Sequence, residues 1–215
     1  CGAAHSGNVM PSLFGGLVFI FNSKTLEHTL VAPPDLFVVL ISPDLTVTTR
    51  EARRVLWESP YDIALLIQKT QKLLKRNFHK KLPFVVNESA CSSLIKSGGD
   101  IHVVQDYLTA GLHVAYGFRI GNLEMIGKWL EKDHIVTSCR SKLIKGFSTV
   151  KESAKKAGAQ AFCISGSGPA VFCLAKTNAD AERYGDAMVK AFAKHHVAAK
   201  KFVSFINSRG AQILE

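Results

Sequence analysis

The stretch Ile164–Phe172 reads ISGSGPAVF and places a turn of small residues between two apolar segments. The residues on either side, Ala161–Ile164 and Ala170–Ala175, are of types that favour strands. The glycines of the turn reach backbone angles closed to other residues and let the main chain approach a ligand, and Pro169 fixes the exit from the turn. The stretch therefore predicts a strand, a tight loop and a second strand. A plain β-hairpin fits this pattern as well as a ligand-facing loop does.

The segments around this loop alternate between strand and helix signals. Leu36–Ile41 is a short apolar run typical of a buried strand, and helices are predicted over Gly146–Lys156 and Asn178–Lys194, followed by a last strand over Lys201–Ile206. Upstream of residue 146, two strands are predicted over Leu17–Phe21 and Glu27–Val31. A helix is predicted to begin at the capping box of Thr48 and Glu51. Further helices are predicted over Pro60–Arg76, Ile101–Phe118 and Leu123–Leu130. Ala32–Asp35 contains two prolines and is the candidate domain boundary.

The composition indicates a compact soluble protein with an excess of basic residues. The chain has 27 basic and 17 acidic residues and a formal charge of +10. Its lysines are scattered without an aromatic-interleaved motif, so solvated helix faces and attraction of anionic substrates are favoured over nucleic-acid binding. No apolar run approaches the roughly 18 residues of a membrane helix. The five cysteines show no Cys-x-x-Cys pair, which predicts neither a metal site nor a disulfide framework and suits a reducing compartment.

Four segments, in order along the chain, carry a family resemblance. They are His5–Leu17 with the strand after it, Ile41–Asp44 leading into Thr48–Arg53, Asp133–Ile144, and the glycine loop with its flanking strands. Together they resemble the homoserine kinases, a branch of the GHMP family of small-molecule kinases, at about the spacing of that family. The resemblance covers nearly the whole chain.

The resemblance implies an α+β fold with two parts. Residues 35–215 correspond to the GHMP kinase C-terminal domain, a ferredoxin-like two-layer sandwich, whose strand and helix order matches the predicted elements once the central helices are set aside. Residues 1–34 correspond to the tail of a nucleotide-binding domain that resembles domain 2 of ribosomal protein S5. This division would leave the strand Leu17–Phe21 exposed and without its sheet partners.

The resemblance also implies a binding site for an amino-acid substrate. Arg53 and Arg140 match the family's substrate arginines, and a guanidinium donates two parallel hydrogen bonds to a carboxylate. Thr49, one helical turn before Arg53, matches a position near the substrate. Without the family match, a solvated charge on a helix face would be the favoured interpretation of Arg53.

The N-terminal motif supplies the residues expected next to the reacting hydroxyl. Asn8 matches the asparagine that holds the substrate hydroxyl and is the catalytic candidate, and His5 lines the same pocket. Asn8 also fits a helix N-cap, since a helical pattern follows it. Gly7 departs from the family, which usually has aspartate at this position, and this departure puts full activity in doubt.

The resemblance implies ATP and Mg²⁺ as cofactors, both bound mainly by a part of the family sequence that is not found in this chain. Ser165, Gly166, Ser167 and Gly168 match the third GHMP motif, a loop that packs against the phosphate-binding loop of the other half. The glycine-rich phosphate-binding loop itself, any Walker-type sequence and the family's upstream acidic magnesium ligand are all absent from the 215 residues. The sequence is therefore expected to be the C-terminal part of a kinase that needs an N-terminal half or an equivalent chain, and no metal ligand is predicted in it.

The function implied is ATP-dependent phosphorylation of the L-homoserine hydroxyl to O-phosphohomoserine, in threonine biosynthesis. Another GHMP kinase, such as one that acts on mevalonate, is the alternative within the same class, and a non-catalytic relic or binding subunit is the alternative outside it. The chain alone is expected to be inactive. We expect a cytoplasmic protein, with organellar targeting and a homodimer left open, and no nucleic-acid or membrane partner.

Overall fold

A computed structural model describes residues 6–22, 25–80, 86, 91–96 and 98–213. Its helices are α1 (Ser6–Phe14), α2 (Thr49–Trp57), α3 (Ile63–Asn77), α4 (Ile101–Ile120), α5 (Leu123–Leu130), α6 (Val136–Arg140), α7 (Phe147–Lys156) and α8 (Asn178–Ala193). Its strands are β1 (Leu17–Asn22), β2 (Glu27–Val31), β3 (Phe37–Pro43), β4 (Ala161–Ile164), β5 (Val171–Ala175) and β6 (Ala199–Phe205). Short 3-10 helices span Ser92–Leu94 and Ser141–Leu143.

The main sheet has four antiparallel strands in the order β4-β5-β3-β6. The first strand of the domain, β3, lies in the interior, where Val39 pairs with Cys173 of β5 on one side and with Val203 of β6 on the other. Helix α7 leads into β4 and helix α8 connects β5 to β6. This order confirms the predicted ferredoxin-like α+β layout.

The two faces of this sheet are covered by different helices. On one face, α7 and α8 pack against the sheet around fully buried Val39, Val150 and Phe192. On the other face, α5 packs against β4, with Ile126 in contact with the cluster of Leu36, Ala161 and Leu174. In β3 one face, at Val39 and Ile41, is fully buried and the other, at Val38 and Leu40, is partly buried, which explains why Leu36–Ile41 is apolar without alternation.

The helices between β3 and α7 form a separate apolar core. It contains Leu66 of α3, Val104 and Leu108 of α4, and Ile135 just before α6. Helix α2 begins with the predicted capping box, in which Thr48 and Glu51 bond to each other's backbone amides. The predicted helices over 60–76, 101–118 and 123–130 are all present, with ends that differ by at most three residues.

The strand β1 is half-buried, so the prediction that it would be exposed without sheet partners is wrong. It pairs with β2 in an antiparallel two-stranded sheet. Phe19 and Phe21 also contact the Phe78 ring at the end of α3, at centroid distances of 5.2 and 5.6 Å. These aromatic contacts bury the strand without further sheet partners.

None of the described helices is both long and apolar enough to cross a membrane.

Candidate functional site

Helix α6 is short, and its start is fixed by one carboxylate. Asp133 accepts hydrogen bonds from the backbone amides of Ile135 (3.2 Å), Val136 (2.8 Å) and Thr137 (3.0 Å), and from the Thr137 hydroxyl (2.8 Å). A carboxylate at a helix start satisfies amides that have no partner inside the helix. Because α6 has only five residues, this cap positions Arg140 at the other end of the helix.

Arg140 connects α6 to the glycine loop. Its Nη1 donates a hydrogen bond of 2.9 Å to the carbonyl oxygen of Gly166. Its Nε is the buried polar side-chain atom that lacks a hydrogen-bond partner within the described residues. Burial lowers the pKa of the Arg140 guanidinium, while nearby Tyr107 and Asp133 raise it and Arg53 lowers it. Arginine stays protonated in proteins, so Arg140 is a cation whose Nε donor has no partner within the described residues. A cation with an unused donor is suited to recognise an anionic group.

The glycine loop closes on itself between β4 and β5. The Ser165 amide donates to the Ala170 carbonyl (2.8 Å) and the Gly168 amide donates to the Ser165 carbonyl (3.0 Å). Gly168 has φ +82°, and a Cβ there would lie 3.2 Å from the Ile144 side chain, so a larger residue would strain the loop. These internal bonds use the amides of Ser165 and Gly168, whereas the amides of Gly166 and Ser167 donate to no backbone carbonyl within the described residues.

Helix α2 brings Thr49 and Arg53 to the same region. It packs against α6, and both side chains are exposed. Exposure fits a solvated charge at Arg53, and the Arg53 charge is also among the causes that lower the pKa of Arg140, after burial. Two neighbouring cations repel each other, and an anion between them relieves that repulsion.

The two N-terminal candidates, His5 and Asn8, come from a segment of the chain other than α2 and α6. His5 lies outside the described residues. Asn8 belongs to α1, which begins at Ser6 and packs against β1. The alternative that Asn8 is the N-cap is therefore wrong, because the helix starts before it. Gly7 is exposed in the same helix, and a Cβ there would meet nothing within 4 Å.

Sequence reasoning missed two residues beside Arg140. Asp133 lay inside a motif that carried the resemblance, and its spacing to Thr137 is a cap signal that indicates its role. Tyr107 of α4 had no local signal, and the structure places it against the apolar core that also contains Ile135. Burial and the Asp133 charge raise the pKa of Tyr107 to about 12. The same two causes raise the pKa of Cys163 on β4 to about 11.

The described part of the chain contains no group of three or more His, Cys, Asp or Glu side chains arranged to hold a metal ion. For a nucleotide, the described residues offer the two loop amides at Gly166 and Ser167. They fit one wall of a phosphate site.

Comparison with known proteins gives concordant matches. The family model for the GHMP kinases C-terminal domain matches residues 114–195. The homoserine kinase of Pyrococcus furiosus is 32% identical over 215 residues, which cover 98% of this chain and 57% of that protein. The homoserine kinase of Arabidopsis thaliana is 28% identical over 214 residues, which cover 98% of this chain and 47% of that protein. The chain thus spans about half the length of these relatives.

Two solved structures have similar folds. The crystal structure of homoserine kinase from Cytophaga hutchinsonii has a TM-score of 0.71 and 28% identity, covering 98% of this chain and 54% of that one. Lactococcus lactis galactokinase, solved in complex with galactose, has a TM-score of 0.53 and 15% identity over 89% of this chain and 51% of that one, which shows a likeness in fold alone. The resemblance inferred from the four motifs is thereby confirmed: the chain belongs to the GHMP kinase family and contains its C-terminal domain, with homoserine kinases among its relatives over nearly its whole length.

Proposed function

We propose that the chain forms the acceptor-substrate side of an ATP-dependent kinase that converts L-homoserine to O-phosphohomoserine. The observation that carries the proposal is the placement of Arg140. Arg140 ends a short helix whose first amides are bound by Asp133, and it is hydrogen-bonded to the loop that matches the third GHMP motif. The substrate class comes from the relatives, because the proteins that match 98% of this chain are homoserine kinases.

In this proposal the two arginines hold the substrate carboxylate. Thr49, on the α2 turn before Arg53, lines the same pocket, and Asn8 with His5 orients the hydroxyl. The hydroxyl oxygen attacks the γ-phosphorus of ATP, the bond from that phosphorus to ADP breaks, and the hydroxyl proton leaves to solvent. Phosphoryl transfer of this kind depends on positioning and electrostatics more than on a strong base, so an amide at position 8 suffices.

ATP and Mg²⁺ would be bound mainly outside the described residues, with Ser165, Gly166, Ser167 and Gly168 forming one wall of the phosphate site. The division into residues 1–34 and 35–215, the cytoplasmic location, the homodimer and the requirement for an N-terminal half all remain predictions. A non-catalytic role is the second candidate, and Gly7 in place of the family aspartate is what favours it.

The proposal is tested with the protein expressed from its full reading frame. We expect ATP-dependent formation of O-phosphohomoserine from L-homoserine. A coupled assay of ADP release and phosphorus NMR of the product measure this reaction. Mevalonate and galactose serve as acceptor controls and should not be phosphorylated. ADP formation with either control in place of homoserine would contradict the assignment, and inactivity with all three would favour the non-catalytic alternative.

A further inference from the structure

The segment that follows β6 returns to the first helix. Residues 207–211, which we call the strap, contact the C-terminal end of α1 and the turn after it. The Gly16 amide donates a hydrogen bond of 2.6 Å to the Asn207 carbonyl oxygen. The Ala211 amide donates to the carbonyl oxygens of Ser12 (3.0 Å) and Leu13 (3.2 Å). The strap therefore connects α1 to the end of β6, the last strand of the main sheet.

The strap caps the C-terminal end of α1. The last carbonyl groups of a helix have no amide partner within the helix. Gly15 ends α1 with φ +71°, and its amide donates to the Pro11 carbonyl (2.8 Å). The next amide, that of Gly16, would reach Ser12 if the helix continued, but it donates to Asn207 instead. The Ala211 amide therefore supplies a donor that α1 lacks.

The contact between the strap and α1 is a close approach of two backbones. A Cβ on Gly210 would lie 1.9 Å from the Leu13 carbonyl oxygen. A Cβ on Gly15 would lie 2.5 Å from the Arg209 carbonyl carbon. In both cases the obstacle is backbone, which cannot move aside as the end of a flexible side chain can. Glycine on each side is what lets the two segments approach so closely.

The strap is itself held in place from the main sheet. Phe205, at the end of β6, pairs with Phe37 of β3, and the two rings lie 3.9 Å apart between centroids. Two residues later, the Asn207 side-chain oxygen accepts a hydrogen bond of 3.0 Å from the Arg209 amide. A side chain that bonds its own backbone two residues on fixes a turn. Asn207 therefore directs the strap toward α1.

We propose that the strap positions α1 for phosphoryl transfer, with Asn207 and Gly210 as positioning residues. The inference rests on the proposed function, in which Asn8 of α1 orients the acceptor hydroxyl and the arginines of α2 and α6 hold the carboxylate. The strap contacts only the first of these two groups of elements within the described residues. Loss of the strap contact should therefore disturb the orientation of the hydroxyl more than the affinity for the substrate.

The test uses Gly210→Ala and Asn207→Ala in the protein expressed from its full reading frame. We expect Gly210→Ala to lower kcat with L-homoserine about 10-fold or more, since a small misplacement of reacting groups is costly, and to leave the KM for L-homoserine within about 3-fold. Asn207→Ala should lower kcat about 5-fold. Asn207→Asp keeps an acceptor for the Arg209 amide and should retain most of the parent kcat.

Two further measurements separate positioning from general stability. Amide hydrogen exchange at Gly16 and Ala211 should be faster in Gly210→Ala than in the parent protein, because these amides bond across the contact. Gly158→Ala is the matched control. Gly158 has φ +104° and precedes β4, at the end of that strand opposite to the glycine loop. Alanine there should lower the free energy of unfolding without changing kcat or the KM.

A double variant tests whether the two glycines act through one contact. Gly15→Ala and Gly210→Ala break the same approach, so kcat of the double variant should equal that of the weaker single variant and not the product of the two losses. Asn207→Ala adds no atom, and it decides the inference if Gly210→Ala does not fold.

Faster exchange at Gly16 with an unchanged kcat would overturn the inference and leave the kinase assignment intact. A rise in the KM for L-homoserine without loss of kcat would overturn it as well, as would an equal loss of kcat in Gly158→Ala. Absence of homoserine phosphorylation by the parent protein would contradict both the assignment and the role of the strap.

Discussion

Gly7 stands where the family resemblance predicts an aspartate, and the structure shows no steric obstacle to a side chain at this position. Its backbone is helical, it is exposed, and a Cβ would meet no atom within 4 Å. A carboxylate in the first turn of α1 is also favoured by the helix dipole. We expect Gly7→Asp to raise kcat/KM for L-homoserine roughly 3- to 10-fold, which corresponds to about 1 kcal/mol of transition-state stabilisation.

Gly7→Ala is the control for helix propensity. Alanine should increase the free energy of unfolding by about 1 kcal/mol without adding a charge. A gain in activity that is equal in both variants would show that α1 stability limits turnover. Equal or lower turnover in Gly7→Asp would show that the role of the family's carboxylate is filled elsewhere in this protein.

Arg140 and Arg53 are the residues on which substrate affinity should depend most. Removing one member of a buried charged contact costs about 2 to 5 kcal/mol, so Arg140→Ala should raise the KM for L-homoserine about 30-fold or more. Arg53 is exposed, so the effect of Arg53→Ala should be smaller. Arg140→Lys should restore only part of the affinity, because lysine lacks the paired donors and cannot reach both Gly166 and a carboxylate.

Arg54→Ala is the matched control for the exposed arginine. Arg54 follows Arg53 on α2 and forms a surface ion pair with Glu58 at 3.8 Å. Such pairs contribute little, so the KM for L-homoserine should not change. If Arg53→Ala behaves like Arg54→Ala, Arg53 is a solvated helix charge and not a substrate ligand.

At the scale of elements, the cap of α6 links stability to substrate affinity. Asp133→Ala removes the acceptor of three backbone amides, and we expect the free energy of unfolding to fall by about 1 to 2 kcal/mol. Because Arg140 ends the same five-residue helix, the KM for L-homoserine should rise about 10-fold as well. Urea denaturation and steady-state kinetics measure the two effects.

The N-cap of α3 offers the comparison. Asp62 accepts a hydrogen bond of 3.0 Å from the Leu65 amide, in a helix that carries none of the proposed substrate residues. Asp62→Ala should lower the free energy of unfolding by about 1 kcal/mol and leave the KM unchanged. A similar change in KM in both variants would mean that Asp133 acts through general stability alone.

The elements themselves were largely predictable because their signals are local. The capping box at Thr48 and the apolar periodicity of residues 63–74 each indicate a helix without reference to the rest of the chain. The start of α1 was not predictable in this way, since Asn8 is a good N-cap residue and the helix nevertheless begins at Ser6. The contacts of Phe19 and Phe21 with Phe78 join residues nearly sixty positions apart, and no local pattern indicates them.

At the scale of the whole molecule, the site depends on contacts between distant segments. Arg53, Arg140 and Gly166 come from α2, α6 and the β4-β5 loop, and the helical core between β3 and α7 holds the first two in place. Residue types and the family resemblance indicated these three, because each belongs to a motif. Tyr107 belongs to no motif, so only its place against the apolar helical core reveals it.

The buried acidic groups of the fold make its stability sensitive to alkaline pH. Burial raises the pKa of the Cys173 thiol to about 12 and that of Cys163 to about 11, from an ordinary value of 9.0. In the unfolded chain these thiols lose their protons near pH 9, whereas in the folded protein they keep them. Raised pKa values of this kind favour the folded state below pH 9, and that contribution is lost as the pH rises toward 11 and 12.

We therefore expect the free energy of unfolding to fall by about 1 kcal/mol for each of the two thiols between pH 9 and pH 10, measured by urea denaturation under reducing conditions. Cys173 is fully buried in the sheet, so Cys173→Val keeps an apolar side chain of similar size and removes one titrating group. The variant should lose about half as much stability over this pH range as the parent protein. An unchanged pH dependence in Cys173→Val would show that this thiol ionises in the folded protein as readily as in the unfolded chain.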